Sequence, residues 1–276
     1  GKATLINQQP AVGPCHVSIA PSGRYIMVAN YGAGSVEAFP VREDGGLAPA
    51  SGFVQHKGAS VHPTRQSGPH AHSVTFAPGG RYVYAADLGL DQILCYLIDE
   101  PAGCLIPGEI PVTHVAPGAG PRHMAFHPGG RFAYVINELN NTIIAFAYDR
   151  ENGRLTEIQT VTTLPASFTG VSYCAEIRVH PSGRFLYGSN RGHDSIAVFA
   201  VDEETGRIEP VAHTPTNGSW PRHFNLDPTG RLLLVANERS DSIYSFRIDQ
   251  ETGCLTPTGY SITIPNPMCV VIIPGC

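Results

Sequence analysis

The chain has 276 residues, 42% of them hydrophobic and 15% charged, with a formal net charge of −5. A chain this long and this apolar buries a sizeable core, which excludes the disordered class. The mild acidity gives no electrostatic footprint for nucleic acid or an anionic membrane, and no run approaches the roughly 18 to 20 apolar residues of a spanning helix, so neither partner is expected.

The N-terminal "GKATLINQQP" has neither an apolar h-region nor a cleavage site, so no export address is expected there. Seven cysteines (Cys15, Cys95, Cys104, Cys174, Cys254, Cys269 and Cys276) are scattered, odd in number and free of any C-x-x-C. That usage argues against a disulfide framework or a structural zinc site and fits a reducing, cytoplasmic location. Most of the cysteines are expected to be small core or turn residues, and none is expected to be a nucleophile.

From residue 21 onward one unit recurs: "PSGRYIMVAN", "PGGRYVYAAD", "PGGRFAYVIN", "PSGRFLYGSN" and "PTGRLLLVAN". The separations of 57, 50, 53 and 47 residues between Pro21, Pro78, Pro128, Pro181 and Pro228 mark a repeat architecture. Each copy keeps Asn or Asp nine residues after its proline, at Asn30, Asp87, Asn137, Asn190 and Asn237. A short strand ("CHVSIA", "HSVTFA", "RHMAFH", "EIRVH", "RHFNLD") precedes each Pro-Gly turn, and an apolar strand follows it. A third strand comes next ("GSVEAFPV", "DQILCYLI", "NTIIAFAY", "DSIAVFAV", "DSIYSFRI"), then a Gly turn and an irregular fourth strand.

Helical periodicity is absent, and four strands per unit of this size predict an all-β chain folded as a β-propeller of four-stranded blades. A blade cannot bury both faces alone, so neighbouring blades must stack.

Chemistry is sought where equivalent positions carry different, reactive residues. Six residues before the repeat proline stand Cys15, His72, Arg122, Ala175 and Arg222, and the next residues are His16, Ser73, His123, Glu176 and His223. Ten residues after the proline stand Tyr31, Leu88, Glu138, Arg191 and Glu238. In an up-and-down blade the start of the first strand and the end of the second lie at one face, so these groups are expected at one mouth of the propeller channel. Core packing alone would place apolar residues there, and only Cys15 and Ala175 meet that description.

Arginines suit a small anionic substrate through bidentate contacts, histidine or glutamate supplies a general base, and a guanidinium can stabilise an oxyanion. Ester or lactone hydrolysis needs these roles and no cofactor. A serine mechanism is poorly supported, because no G-x-S-x-G elbow is present and Ser73 and His72 are adjacent along a strand, so their side chains point apart. His70 and His72, at i and i+2, share one side of a strand and could ligate a metal with Glu138 or Glu176, but the arginines oppose a cation, so no metal is expected. The plain alternative is a polar ring that satisfies strand ends and holds water.

Taken together, "VANYGAGSV", "PHAHSVTFAPGGRYVYAADLGLDQI", "GPRHMAFHPGGRFAYVINELNNTI", "AEIRVHPSGRFLYGSNRGHDSIAVF" and "PRHFNLDPTGRLLLVANERSDSI" resemble the lactonase seven-bladed β-propeller family from about residue 10 to the end. That family includes propeller-type 6-phosphogluconolactonase and fungal carboxy-cis,cis-muconate cyclase. The resemblance implies a metal-independent site at one channel mouth, with His72 matching the histidine of the H-S motif, Arg122 the arginine of G-P-R-H, Glu138 the glutamate of N-E-L and Arg191 a second arginine. Around these four catalytic candidates, His70, His123, Asn137, Glu176, Arg222 and His223 are expected to bind substrate.

Three activities stay open: hydrolysis of 6-phospho-glucono-1,5-lactone to 6-phosphogluconate in the pentose phosphate route, lactonisation of a carboxymuconate, and binding without catalysis. Five full repeats are followed by "NPMCVVIIPG", which reads as the opening strand of one more blade. Against a seven-bladed family, residues 1–276 are therefore expected to form a single propeller domain lacking about two N-terminal blades' worth of sequence. The oligomeric state is not readable.

Overall fold

The protein is described by a computed structural model over residues 4–99 and 103–273, so Cys276 lies outside the described residues. Twenty strands among those residues form five four-stranded antiparallel sheets. The first sheet is β1 (Pro14–Ile19), β2 (Tyr25–Asn30), β3 (Ser35–Pro40) and β4 (Gly52–Gln55); the second is β5 (Ala71–Phe76), β6 (Tyr82–Asp87), β7 (Gln92–Asp99) and β8 (Cys104–His114). The third comprises β9 (Pro121–Phe126), β10 (Phe132–Asn137), β11 (Thr142–Tyr148) and β12 (Leu155–Thr162). The fourth is β13 (Tyr173–Val179), β14 (Phe185–Arg191), β15 (Ser195–Val201) and β16 (Ile208–Pro215), and the fifth β17 (Pro221–Leu226), β18 (Leu232–Asn237), β19 (Ser242–Ile248) and β20 (Leu255–Thr263).

Spatial order follows chain order in every sheet, which is the topology of a propeller blade. Among the described residues helix is confined to one 3₁₀ turn, Glu238–Ser240. The chain divides into two compact units, Gly1–Met124 with Asp149–Arg154, and Ala125–Tyr148 with Leu155–Cys276.

The five Pro-x-Gly turns are the local rule that repeats. Gly23, Gly80, Gly130, Gly183 and Gly230 all sit at φ between +65° and +84°, where a Cβ would crowd the backbone. Each donates its N–H to the carbonyl three residues back, at 2.8 to 2.9 Å, closing the turn between the first two strands. The second strands β6, β10 and β14 are buried along their whole length, which explains their nearly unbroken apolar sequences. The fourth strands β12, β16 and β20 are largely exposed, which explains their irregular ones.

Within the first unit, sheets one and two pack face to face over Met27, Val36, Val74, Val83 and Leu105. Within the second, Ile136, Ile143, Ile177 and Phe199 join sheets three and four, and Tyr187, Val198, Phe224 and Phe246 join sheets four and five. Buried tyrosines add a directed bond to this packing. Tyr84 Oη donates to Gly153 O at 2.7 Å, Tyr134 to Gly206 O at 3.2 Å and Tyr187 to Gly253 O at 2.9 Å.

In the last four repeats the loop between the second and third strands holds the repeat to the segment that starts the next. Its left-handed residue is Asp91, Asn141, Asp194 or Asp241, with φ near +50°. Asp91 accepts from Gly118 N at 2.6 Å and Gly120 N at 2.7 Å; Asn141 Nδ2 donates to Ser172 O at 2.8 Å. Asp194 accepts from Trp220 N at 2.8 Å, and Asp241 from Asn266 N at 2.7 Å.

Among the described residues no ladder partner pairs with the backbone of 264–273. The segment "NPMCVVIIPG" nevertheless lies against β17 as an opening strand lies against the one before it: Val270 donates its N–H to His223 Nδ1 at 3.2 Å, as Val74 of β5 donates to His16 Nδ1 of β1 at 3.4 Å, and it accepts from Asn225 Nδ2 at 3.2 Å.

Candidate active site

Within each blade the antiparallel register brings the start of the first strand opposite the end of the second: Pro14 faces Asn30, Ala71 faces Asp87, Tyr173 faces Arg191 and Pro221 faces Asn237. The positions singled out in the repeats are therefore neighbours within a blade. The register also slips there, between Pro14 and His16, Ala71 and Ser73, Cys174 and Ile177, and Pro221 and His223. The residue left over at the first, second and fourth of these bulges is Cys15, His72 or Arg222. A bulge bends the strand and re-aims a side chain, and bulges concentrate next to active sites.

In the first unit these residues build an imidazole-rich cluster. His72 is buried and meets Tyr31 edge-on at 5.2 Å and His123 at 5.3 Å; His123 meets His16 at 5.0 Å. The buried Arg122 donates from Nη1 to His123 Nε2 at 3.2 Å.

His70 stacks on Tyr31 at 4.4 Å and donates Nδ1–H to Tyr31 O at 3.0 Å. The expectation that His70 and His72 share one side of a strand is corrected: β5 begins at Ala71, and the bulge interrupts the alternation. The two histidines instead meet Tyr31 in different ways, one on its face and one at its edge. Among the described residues no three His, Cys, Asp or Glu side chains form a metal-ligand set.

In the second unit Glu138 and Arg191 form an ion pair of 2.8 Å with both side chains 5% exposed. Arg191 also donates to Cys174 O at 2.8 Å and Tyr173 O at 3.3 Å, which fixes its fork at the head of the fourth blade. Its guanidinium carbon lies 5.5 Å from the Trp220 ring, and Arg222 pairs with Glu238 at 3.5 Å.

Other expected residues are held by the scaffold. Glu176 Oε1 accepts from Ile177 N at 3.0 Å, and Oε2 lies 3.1 Å from His223 Nε2. His223 Nδ1 accepts from Val270 N, and its Nε2 sits between Glu176 Oε2 and Arg178 Nη2, the latter at 3.4 Å. Asn137 is fully buried and gives its amide to Thr142 Oγ1 at 2.9 Å, locking its own hairpin. Burial, and then the charge of Glu176, push the Cys269 thiol up from its ordinary value, away from thiolate chemistry.

Trp220 and Arg239, which the repeat comparison passed over, belong to this second cluster, with Arg239 Cζ 3.4 Å from the indole centroid. The signal was present in the sequence. Eight residues before the repeat proline the first and third repeats carry Gly13 and Gly120, and the fifth carries the sole tryptophan.

Four-stranded blades whose bulged inner strands present histidine and arginine define a β-propeller with chemistry concentrated at the blade ends. The chain belongs to the family described as Lactonase, 7-bladed beta-propeller, whose model matches residues 1–272. A relative named 6-phosphogluconolactonase, from Bacillus subtilis (strain 168), is 43% identical over 226 residues, covering 81% of this chain and 63% of that protein. The chain thus spans less than two thirds of the length of the curated relatives it matches.

Among solved structures, a Bacteroides fragilis protein provisionally designated a 6-phosphogluconolactonase is similar at 40% identity and a TM-score of 0.89, covering 96% of this chain and 74% of that one. A periplasmic gluconolactonase of Pseudomonas aeruginosa is similar at 37% identity and a TM-score of 0.86, covering 92% and 71%. No helix of the described residues is long and apolar enough to cross a membrane.

Proposed function

We propose that the chain carries the lactone-hydrolysing site of a cytoplasmic 6-phosphogluconolactonase, an enzyme of carbohydrate metabolism that feeds the pentose phosphate route. Its substrate is then 6-phospho-glucono-1,5-lactone and its product 6-phosphogluconate. The observation that carries this reading is the bulge that re-aims His72 and Arg222, at repeat positions where a scaffold would place apolar side chains. The names carried by the Bacillus and Bacteroides relatives support the substrate class.

In the proposed reaction water adds to the lactone carbonyl, the acyl bond to the ring oxygen breaks, and the ring oxygen leaves as a hydroxyl. His72 or Glu138 takes the proton from water and returns it to that oxygen. Arg122 beside His72, or Arg191 beside Glu138, stabilises the oxyanion or holds the substrate anion. No metal or other cofactor enters.

The test is hydrolysis of freshly generated lactone, coupled to 6-phosphogluconate dehydrogenase and corrected for spontaneous opening. His72→Ala and Glu138→Ala are assayed in parallel. Loss of the base is expected to lower turnover by about 10²- to 10⁴-fold, and the variant that collapses identifies the base. Full turnover in both variants would sink the assignment. Absence of lactone turnover together with loss of a carboxymuconate's ultraviolet absorbance would replace hydrolysis with lactonisation, and silence in both assays would leave a binding propeller.

A further inference from the structure

Trp220 stands where backbone sterics argue against a large side chain. At the equivalent position the first and third repeats place Gly13 and Gly120, with φ of +73° and +65°. The fifth repeat holds Trp220 at φ +66°, a left-handed conformation that side-chain-bearing residues avoid and that concentrates at ligand sites. Three bonds maintain it: Trp220 N to Asp194 Oδ1 at 2.8 Å, Glu238 N to Trp220 O at 3.0 Å and Arg239 N to Ser219 O at 3.1 Å. The last two tie the backbone of Trp220 and of its neighbour Ser219 to the 3₁₀ turn that carries Arg239.

The indole then serves as a platform for two guanidiniums. Arg239 lies on it at 3.4 Å and Arg191, paired with Glu138, approaches at 5.5 Å. Arg191 and Arg222 each have a carboxylate partner, whereas no carboxylate of the described residues forms an ion pair with Arg239. A guanidinium resting flat on an aromatic face keeps its edge donors directed outward, in the fork that matches two oxygens of a phosphate. Arg239 is exposed, so a ligand can reach that fork.

We propose that Arg239, laid on Trp220 beside the Glu138–Arg191 pair, recognises the phosphate of the substrate and so selects a phosphorylated sugar lactone over its unphosphorylated counterpart. The proposal rests on the lactonase reading for the identity of the substrate, though not for the existence of the anion subsite.

Because Trp220 is the only tryptophan, its emission reports on this site without background. The protein and Arg239→Gln are titrated with 6-phosphogluconate, inorganic phosphate and gluconate, with far-UV circular dichroism checking the fold of the exposed-site variant. Phosphate and 6-phosphogluconate are expected to change the emission saturably, with gluconate at least about tenfold weaker. The variant should lose about tenfold or more in 6-phosphogluconate affinity, as expected for a charge-assisted contact, while its gluconate response stays unchanged. Arg239→Lys, which keeps the charge and loses the fork, should fall between.

Turnover gives the second readout: kcat/KM of Arg239→Gln should drop about tenfold for the phosphorylated lactone and hold for the unphosphorylated one. An unchanged 6-phosphogluconate titration in the variant, or equal losses for both ligands, would overturn the proposal. If the parent protein hydrolyses neither lactone, the lactonase reading fails, and the emission titrations still decide the role of Arg239.

Discussion

Tyr134 ends its side chain on the carbonyl of Gly206, and the same glycine leaves no room for a Cβ because the ring of Phe132 occupies that space. Burial, and then the charge of Asp202, raise the Tyr134 phenol above its ordinary value, so it remains a donor at any physiological pH. Tyr134→Phe is expected to lose about 0.5–1.5 kcal/mol, the net worth of a buried hydrogen bond. Gly206→Ala, at φ +73° and against Phe132, should lose more, roughly 2–4 kcal/mol. Denaturant midpoints of the two variants check both values, and an alanine variant as stable as the parent would show that Phe132 moves aside freely. At this scale the sequence exposes residues whose type changes at a fixed repeat position, which is how His72, Arg122, Glu138 and Arg191 stand out. It hides Trp220 and Arg239, because their meaning depends on a backbone angle and on two residues 19 positions apart meeting face to face.

The strands themselves are legible because burial writes the pattern: β6, β10 and β14 are enclosed on both faces and read as apolar runs between Gly turns. Bulges are not legible, since a two-residue period carries no mark of where the partner strand slips, and the slip turns His70 and His72 from a same-side pair into separate contacts with Tyr31. The turns between third and fourth strands carry a pH dependence of their own. Backbone N–H groups of Thr205 and Glu204 hold the Asp202 carboxyl below its ordinary value, and those of Thr252 and Glu251 do the same for Asp249. A depressed folded-state value means stability that is fully present above the unfolded value near 3.8 and is lost as pH falls through the folded one. Asp202→Asn with Asp249→Asn should therefore flatten the fall in Tm on acidification below about pH 4. An unchanged slope would place the acid sensitivity elsewhere.

For the molecule as a whole, chelation by EDTA is expected to leave lactone turnover unchanged, because the proposed chemistry passes through histidine, carboxylate and guanidinium alone. Loss of activity that zinc or calcium restores would refute that. A second consequence follows from β1, whose side chains Val17 and Ile19 are 60% and 63% exposed. Apolar side chains exposed in a row on an inner strand promote association. Val17→Lys with Ile19→Lys should slow aggregation measured by light scattering, with the β-rich circular dichroism spectrum retained. The clasps at the hairpin tips bear on how such a chain came to have repeats at all. Asp91, Asn141, Asp194 and Asp241 each grip the stretch of chain leading out of their own repeat, so the joint is encoded at the sending end. A duplication of one repeat-length of gene therefore copies a module together with its own coupling, and blade number becomes something a lineage can change without inventing a new interface.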